Sequence, residues 1–327
     1  MKSKNLLLAL APTISNSSRT KTVFDYKDSL TYFRNGFVPF SEANVSIASS
    51  PVLYGLSIYT VFSANWNPAK QKLFVWRLED HYQRLVNSAR IMDFDSFASQ
   101  WPYAKFEKTM MELLRQNQIK EDVLVRVTVF IDELVAGTRI HGLTNSLSAY
   151  IYPIGQILPK AGAHVCVSSW SRNPDNAIPS RAKVNGSYVN ASLMKNEALL
   201  NGYDDAIAID QHGHVAEGTV ANLFIVRGAK LITPGAATDI LEGITRDSVL
   251  TLAKDLGLEA QERSIDRSEL YICEEAFMCG SSAGIVPIIS IDKRPINIGP
   301  ITQKLAKTYE AAQRSTTTKY ASWRQSV

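Results

Sequence analysis

Residues 172–188 read Arg-Asn-Pro-Asp-Asn-Ala-Ile-Pro-Ser-Arg-Ala-Lys-Val-Asn-Gly-Ser-Tyr, which places Lys183 between a proline-containing loop and a helix. The prolines predict that 172–183 is a loop. We expect the helix to begin near 185–186 and to end at Gly202, because glycine favours the left-handed conformation that follows a helix. Taken alone, a lysine at such a junction is most simply a solvated side chain.

The segments before this stretch predict a mixture of strands and helices. β-Branched and aromatic residues at 52–62, and strand-like residues at 72–76, predict two strands joined by a turn. Apolar residues at helical spacing over 78–92 predict a helix. The alternating residues of 123–131 predict a strand with Arg126 in its middle, and a charged residue there has to meet water or an anion.

The segments after it predict a second mixed half. Strand-like residues at 165–170 precede the loop, and a meander of short strands follows the helix over 206–233. Gly243 opens a further helix, and a turn of small residues at 280–284 separates two strand-like runs. Pro300 suits the first position of the last helix, where its missing N–H costs nothing. The sequence has no internal repeat.

A break in periodicity with proline and glycine at 157–162 predicts a linker between two domains. We therefore expect an α+β protein with a flexible tail at 1–20, a small N-terminal domain at 21–156 and a larger domain at 163–327. A chain of 327 residues is long enough for each part to bury its own core.

Composition and charge argue against several classes of protein. Basic and acidic residues number 35 and 31 and are well mixed, so no nucleic-acid-binding arm is expected at the net charge of +4. The apolar run at 6–11 is shorter than a signal-peptide core or a membrane span. Three cysteines without a Cys-x-x-Cys pair indicate a reducing compartment, and five histidines without ligand spacing predict no metal site. We expect a cytoplasmic protein without a nucleic-acid or membrane partner.

Three familiar enzyme signatures fail or are missing. Gly280-Ser-Ser-Ala-Gly284 has the spacing of a hydrolase nucleophile elbow, but a β-branched run follows where that motif needs a helix. No histidine lies beyond His214, so the hydrolase triad cannot be completed in its usual order. The sequence also lacks G-x-x-x-x-G-K-[ST] and G-x-G-x-x-G, so neither a P-loop nor a dinucleotide fingerprint is available.

Two turns are candidate anion sites. At 243–245 a Gly-Ile-Thr run enters a predicted helix, and free N–H groups with a hydroxyl at a helix N-terminus attract negative charge. The turn 280–284 offers the hydroxyls of Ser281 and Ser282 among small residues. Each feature alone is more often a capped helix or an ordinary turn.

Five short segments give these features a common context. They are His81-Tyr-Gln-Arg84-Leu85, Ile178-Pro-Ser-Arg-Ala-Lys183, Asn185-Gly-Ser-Tyr188, Glu217-Gly-Thr-Val-Ala-Asn222-Leu-Phe224 and Leu241-Glu-Gly-Ile-Thr-Arg-Asp247. Together and in this order they resemble the class IV (fold-type IV) pyridoxal-phosphate aminotransferases, a family that includes branched-chain and D-amino-acid aminotransferases, (R)-amine transaminases and aminodeoxychorismate lyase. The resemblance implies a small N-terminal α/β domain and a larger β-barrel-like domain, with pyridoxal 5'-phosphate between them.

The resemblance implies that Lys183 forms a Schiff base with the cofactor and later moves the proton at the substrate Cα. A buried lysine with a lowered pKa suits both tasks. Glu217 matches the carboxylate that pairs with the pyridine nitrogen, and Tyr188 matches the phenol near the 3' oxygen. The other implied cofactor contacts are the phosphate-binding residues Arg84, Ile244, Thr245 and Ser281, and Leu241 against the ring.

The segments 168–172 and 182–188 look closest to those of branched-chain aminotransferases. The resemblance implies that Tyr54 and Arg126 hold the distal carboxylate of glutamate and 2-oxoglutarate, which gives the charge in mid-strand a reason. Further implied substrate contacts are Tyr59, Ser282 and Ala283. The implied reaction is a ping-pong transfer of an amino group from a branched-chain L-amino acid to 2-oxoglutarate, in a homodimer or higher homo-oligomer.

Three positions depart from the branched-chain pattern. Residues 59–63 read Tyr-Thr-Val-Phe-Ser where those enzymes usually read Phe-Glu-Gly-x-Arg, and this run is more similar to (R)-amine transaminases. Leu124 replaces a tyrosine that helps to orient the substrate carboxylate, and Gly284 stands where a glutamate is common. An (R)-amine or D-amino-acid transaminase, or an aminodeoxychorismate-type lyase, therefore stays an alternative.

Overall fold

The computed structural model describes residues 25–155 and 157–327, so the tail predicted at 1–20 lies outside the described residues. Within them no helix is long and apolar enough to cross a membrane. The α-helices are α1 (Ser50–Tyr54), α2 (Leu78–Ile91), α3 (Phe97–Gln100), α4 (Tyr103–Gln116), α5 (Tyr188–Leu200), α6 (Ile244–Asp255) and α7 (Pro300–Gln313). The strands are β1 (Leu30–Phe33), β2 (Gly36–Pro39), β3 (Ser57–Asn67), β4 (Lys72–Trp76), β5 (Val123–Ile131), β6 (Asn145–Pro153), β7 (Ala163–Ser171), β8 (Asp205–Ile209), β9 (Val215–Gly218), β10 (Asn222–Arg227), β11 (Lys230–Thr233), β12 (Ala260–Glu262), β13 (Glu275–Gly280), β14 (Gly284–Ile291), β15 (Arg294–Pro295) and β16 (Arg324–Ser326).

Seven strands form the first sheet, in the order β16-β4-β3-β5-β6-β1-β2, with every neighbouring pair antiparallel. The predicted strand at 123–131 is confirmed as β5. Its alternate valines are fully buried, while Arg126 on the opposite face is only partly buried. The register places Val61 of β3 directly opposite Arg126. The alternation therefore keeps the charge out of the core and turns it to the other face of the sheet.

Helix α2 confirms the prediction for 78–92 and packs its apolar stripe on the first sheet. Leu78, Tyr82, Leu85 and Ala89 are buried in the core of this sheet. Acidic residues in the first turn and Arg90 in the last complement the helix dipole. This helix carries Arg84 one position away from the apolar stripe, as the spacing predicts.

The prediction of a strand over 52–62 is wrong at its start. Residues 50–54 form the short helix α1, which Gly55 ends in the left-handed region at φ 68°, and β3 begins only at Ser57. A Cβ at Gly55 would lie 2.8 Å from the Cα of Gly186, so the two backbones can approach this closely only because residue 55 is a glycine. The turn thus brings α1 against the segment that follows Lys183.

Nine strands form the second sheet, in the order β12-β11-β10-β13-β14-β7-β8-β9, with β15 beside β14. Strands β9 and β10 are far apart in this order, yet a tight turn joins them, so the sheet has to curl to bring them together. In that turn Gly218 N–H donates to the Ala221 carbonyl at 2.8 Å. Helix α6 packs on β13 and α7 packs on β13 and β14, whereas α5 packs on β7 and β8. The curled sheet confirms the barrel-like larger part of the expected α+β fold.

The last strand of the chain returns to the first sheet. β16 pairs with β4, and the N–H of Arg77, just before α2, donates to the Trp323 carbonyl at 2.7 Å. The division at 157–162 stays a prediction, and its larger part, 163–327, contributes this strand to the sheet of the smaller part.

The segment around Lys183 lies at the boundary of the two sheets. Ile58 and Val184 form an antiparallel bridge, and Tyr59 N–H donates to the Lys183 carbonyl at 2.9 Å. The helix predicted from 185–186 begins as one 3-10 turn and continues as α5, and Gly202 follows its end at φ 77°. The lysine therefore stands where a loop docks on β3 and changes into a helix.

Candidate active site

A cavity of about 280 Å³ lies between the two sheets. The first sheet contributes residues of β3, β5 and β6, and the second contributes β9, β10, β13 and the loop before α6. Twelve of the thirteen predicted site residues line it, namely Tyr59, Arg84, Arg126, Lys183, Tyr188, Glu217, Leu241, Ile244, Thr245, Ser281, Ser282 and Ala283.

Tyr54 is the predicted residue that does not line this cavity. It ends helix α1 and is 43% exposed. The contact of Tyr54 with a distal carboxylate therefore stays a prediction, because within the single chain Tyr54 does not line the cavity. Because Tyr54 is exposed and lies beside Gly186, its side chain can contact another molecule.

The ε-amine of Lys183 is enclosed yet faces the cavity. It donates a hydrogen bond to the Tyr188 hydroxyl at 3.0 Å and lies 5.0 Å from the Tyr59 ring centroid. Burial lowers the pKa of Lys183 below its ordinary value of 10.5; Tyr188 acts against this shift and Arg84 acts with it. A lysine with a lowered pKa has more of the neutral amine that can act as nucleophile and base.

The backbone of Lys183 is fixed on both sides. Its N–H donates to the hydroxyl of the buried Ser88 of α2 at 3.1 Å. The predicted loop before Lys183, 172–183, is confirmed. The Asp175 carboxylate holds it together by accepting from the N–H and the hydroxyl of Ser180, each at 3.0 Å. The amine is therefore presented from a rigid support, which precise catalysis needs.

Glu217 presents a buried carboxylate from β9. Arg172 Nη2 lies 2.7 Å from one carboxylate oxygen, and Asn222 Nδ2 donates to the other at 2.9 Å. Burial raises the pKa of Glu217 above its ordinary value, and Arg172 acts against that rise. A carboxylate held in this way suits a partner that carries an N–H⁺ group in the cavity.

Arg172 and Asn222 belong to segments quoted from the sequence, but sequence reasoning gave them no role. Asn222 Nδ2 also donates to the Leu241 carbonyl at 2.9 Å, so it links Glu217 to the loop before α6. A Cβ at Gly243 would lie 2.0 Å from Asn222 Oδ1. The signal that could have found them was the place of Asn222 inside one of the five matching segments, and of Arg172 in the segment 168–172 that looks closest to branched-chain aminotransferases.

At the opposite end of the cavity Arg84 is poorly satisfied by protein groups. Its buried Nε has no hydrogen-bond partner among the described residues. Its two contacts are long, at 3.4 Å from Nη1 to the Glu242 carbonyl and 3.3 Å from Nη2 to Thr60 Oγ1. Burial lowers the pKa of Arg84 to about 10, so the guanidinium stays charged near neutral pH. A buried guanidinium with spare donors suits an anion.

Helix α6 adds donors to this end. Gly243 is its N-cap and has no side chain, so no side-chain cap occupies the first N–H groups in this part of the described structure. Thr245 is buried in the first turn, with its hydroxyl 3.4 Å from the Tyr309 hydroxyl. Arg84 and the start of α6 together form a cationic, donor-rich end of the kind that binds phosphate.

The turn after β13 completes the lining. Ser281, Ser282 and Ala283 are partly buried there, and burial raises the pKa of Tyr152, another residue of the lining, to about 12. Gly284 has φ 67°, a conformation in which a glutamate would be strained. The departure at this position therefore follows from the backbone of the turn.

The remaining wall combines apolar and cationic surface. The guanidinium carbon of Arg126 lies 3.7 Å from the Tyr59 ring centroid, and Arg126 Nη2 donates to the Asn185 side-chain oxygen. Around them Tyr59, Val61 and Leu124 form a small buried apolar cluster. This wall can contact an aliphatic side chain and a carboxylate with different atoms.

Comparison with known proteins adds independent findings. Residues 58–291 match the family described as Amino-transferase class IV. The probable branched-chain-amino-acid aminotransferase of Aquifex aeolicus is 40% identical over 297 residues, which cover 89% of this chain and 94% of that protein. A branched-chain aminotransferase structure from Thermoproteus uzoniensis, with norvaline, superposes with a TM-score of 0.86 at 37% identity and covers 91% of this chain and 99% of that one. For the structure from Thermobaculum terrenum in its PLP form, the TM-score is 0.83 at 31% identity, with 92% and 99% covered.

Proposed function

The chain belongs to the class IV aminotransferases, and on that premise we propose that it transfers the amino group of a branched-chain L-amino acid to 2-oxoglutarate. Its cofactor is pyridoxal 5'-phosphate, with which relatives of this family are crystallised. The observation that carries the proposal is one cavity in which Lys183 and Glu217 face an apolar wall that also holds Arg126.

The residues of the cavity fit this cofactor. The unpartnered donor of Arg84 and the free start of α6 suit its phosphate, Glu217 suits its ring nitrogen, and Lys183 suits its aldehyde. When bound, the cofactor supplies an aldehyde that takes up an amine and a ring that withdraws electrons from the substrate Cα.

Lys183 is the residue that moves the proton. Its Nζ, with a lowered pKa, would accept the Cα proton of the donor and later in the same half-reaction deliver it to the C4' carbon of the cofactor. The Tyr188 hydroxyl, 3.0 Å away, holds the amine in place by its hydrogen bond. Glu217, held by Arg172, keeps negative charge beside the ring nitrogen, which favours the protonated, electron-withdrawing ring.

The apolar part of the lining, Tyr59 and Val61 with Leu124 packed against them, supports an aliphatic side chain as substrate. Arg126 supports a second carboxylate, because a guanidinium stacked on an aromatic ring keeps donors free at its edge. Because both kinds of substrate use one cavity, they react in turn, as a ping-pong mechanism requires.

A second candidate is an (R)-selective amine or D-amino-acid transaminase of the same fold. It is favoured by Leu124, which packs with Tyr59 and Val61 of the cavity lining and has no hydroxyl where the branched-chain pattern has a tyrosine. A lyase acting on aminodeoxychorismate is a third, but it has no need of an acceptor carboxylate and hence of Arg126.

A half-reaction panel separates these candidates. The holoenzyme is mixed separately with L-leucine, L-glutamate, D-alanine and (R)-1-phenylethylamine, and the change in cofactor absorbance is followed. We expect L-leucine and L-glutamate to react. Reaction with D-alanine or the amine alone would show that the branched-chain assignment is wrong, and release of pyruvate from aminodeoxychorismate without an acceptor would favour the lyase.

We also propose that the enzyme is a homodimer and acts in the cytoplasm. Helices α1 and α5 expose several large apolar side chains, and the contact between Gly55 and Gly186 brings the two helices close to each other. The residues concerned are Val52, Leu53, Val189, Leu193 and Leu200. The three free cysteines, Cys166, Cys273 and Cys279, suit a reducing compartment.

A further inference from the structure

His81 lies three residues before Arg84 on α2, and the proposed function gives it no role. Its side chain is buried, 1% exposed, and its Nδ1 lies 2.9 Å from Thr60 Oγ1. Burial lowers the pKa of His81 well below its ordinary value, and the cationic groups of Arg84, Arg77 and Lys183 act in the same direction. The imidazole is therefore neutral at neutral pH.

Thr60 stands between His81 and Arg84. It is fully buried on β3, and its hydroxyl oxygen is also the atom 3.3 Å from Arg84 Nη2. A guanidinium can only donate hydrogen bonds, whereas a threonine hydroxyl has one proton and two lone pairs. The Thr60 oxygen must therefore accept from Arg84, and its proton is free to be donated to His81 Nδ1, 2.9 Å away. This assignment requires the tautomer of His81 with its proton on Nε2.

The contact with Thr60 matters because little else orients Arg84. The other hydrogen bond of the guanidinium is the 3.4 Å contact with the Glu242 carbonyl, and Nε has no partner in the described part of the chain. Ordering a long side chain with many rotamers when the ligand binds costs conformational entropy, and this cost lowers the affinity of the site for the ligand.

The identity of residue 60 has a further consequence. The branched-chain pattern usually has glutamate at this position, and a carboxylate beside Arg84 would compensate the guanidinium charge. A threonine hydroxyl orients the same group without neutralising it. The positive charge of Arg84 is then left for an anionic ligand.

We propose that His81 and Thr60 are positioning residues for the phosphate end of the cofactor site. His81 accepts a hydrogen bond from the Thr60 hydroxyl, and the Thr60 oxygen in turn accepts one from Arg84 and fixes its orientation. The inference rests on the proposed function, because it names how that site recognises its phosphate group. It gives the histidine of the segment His81-Tyr-Gln-Arg84 a physical reason.

The test compares a ligand that carries the phosphate with one that lacks it. Full-length protein freed of cofactor is titrated with pyridoxal phosphate and with pyridoxal, and the quenching of tryptophan fluorescence gives both affinities. Thr60→Val keeps the side-chain shape and should reduce the preference for pyridoxal phosphate by about tenfold. Thr60→Ser keeps the hydroxyl and should stay within about twofold of wild type. Affinity for pyridoxal is the internal control for folding.

A double-mutant comparison tests whether His81 acts through the same hydroxyl. His81→Leu should also reduce the preference, and Thr60→Val combined with His81→Leu should be no worse than Thr60→Val alone. The inference is overturned if Thr60→Val keeps the wild-type preference, or if Thr60→Ser loses as much as Thr60→Val. A wild-type protein that binds both ligands equally would overturn the phosphate site itself, and the proposed function with it.

Discussion

At the scale of single residues, the reactivity of Lys183 depends on neighbours that act in opposite directions. Burial and Arg84 lower the pKa of its amine, while Tyr188 and Glu217 raise it. Burial by itself would raise the pKa of Tyr188, but Lys183 and, to a smaller extent, Tyr59 outweigh it and hold that pKa below its ordinary value. The pKa values of the amine and the phenol are therefore both lowered, and each depends on the charge of the other group.

Replacing Tyr188 tests this arrangement through its pH dependence. In Tyr188→Phe the group that raises the pKa of Lys183 is gone, so that pKa falls further below 10.5. Because the neutral amine captures the cofactor aldehyde, the capture rate rises with pH, and the midpoint of the rise should move to lower pH in the variant. Stopped-flow absorbance measures the rate. A midpoint that does not move, or that moves to higher pH, contradicts the account. Tyr152→Phe is the control, because it removes a different phenol of the cavity and should leave the midpoint unchanged.

The pair Arg172 and Glu217 leads to a prediction about stability. Arg172→Met leaves Glu217, whose side chain is 7% exposed, as a buried carboxylate without its cation. The free energy of unfolding should fall by about 3–5 kcal/mol, as when one partner of a buried ion pair is removed. Denaturant unfolding measures this, and adding Glu217→Gln should restore part of the loss. Equal stability of Arg172→Met and wild type would mean that Glu217 does not depend on the pair.

Most predicted site residues do meet in one cavity, but the sequence could not show how they are held. Lys183 could not be chosen among the lysines without the five matching segments. The pair of Arg172 with Glu217 and the contact of Thr60 with Arg84 join residues distant in sequence. Such pairs depend on how the sheets curl and pack, which no local pattern encodes.

At the scale of elements, the loop before α6 shows how a glycine can keep a site open. Gly243 leaves the first N–H groups of α6 free and makes room for Asn222, which connects Glu217 with the Leu241 carbonyl. The proposed phosphate end, at the start of α6, and the proposed ring-nitrogen end, at Glu217, are thus coupled through one amide side chain.

Gly243→Ala should therefore weaken both ends. The added Cβ would lie 2.0 Å from Asn222 Oδ1, so Asn222 must move and release Glu217 or Leu241. We expect affinity for pyridoxal phosphate to fall by about tenfold or more, which equilibrium titration measures. Gly235→Ala is the matched control, because a Cβ there meets nothing within 4 Å. Retained affinity in Gly243→Ala would contradict the role given to Asn222.

Elements with a long periodic pattern could be predicted from the sequence, and short ones could not. Helix α2 and strand β5 have enough residues for their period to be unambiguous. Helix α1 has five residues, and its course depends on the left-handed Gly55 rather than on its apolar residues. Strand β16 has three residues, and only the exposed edge of β4 makes it a strand.

At the scale of the whole molecule, the chain connects its two sheets at two places. The Lys183 segment docks on β3, and the C-terminal strand docks on β4, where the guanidinium of Arg77 lies 4.9 Å from the Trp323 ring centroid. Arg77 also bonds Asp247 of α6 at 2.6 Å. The two sheets that enclose the cavity are therefore linked at two places along the chain.

The apolar surface of α1 and α5 leads to a prediction about assembly. Val189 is 68% exposed and Leu193 38%, one helical turn apart. Wild type should sediment as a dimer. The double substitution Val189→Glu and Leu193→Glu places two charges on this surface and should shift the protein towards monomer. Ile272→Glu, at another residue that is 62% exposed, should leave the dimer unchanged. A monomeric wild type, or a dimer that tolerates the double substitution, contradicts the proposed interface.

The most direct test of the account is the location of the lysine that holds the cofactor. Holoenzyme is reduced with borohydride, digested with trypsin and analysed by mass spectrometry. Modification of Lys183 blocks cleavage there, so the account predicts a single labelled peptide, Ala182–Lys195, and none in Lys183→Ala. Label on a different lysine, or no label in a holoenzyme that transfers amino groups, would contradict it.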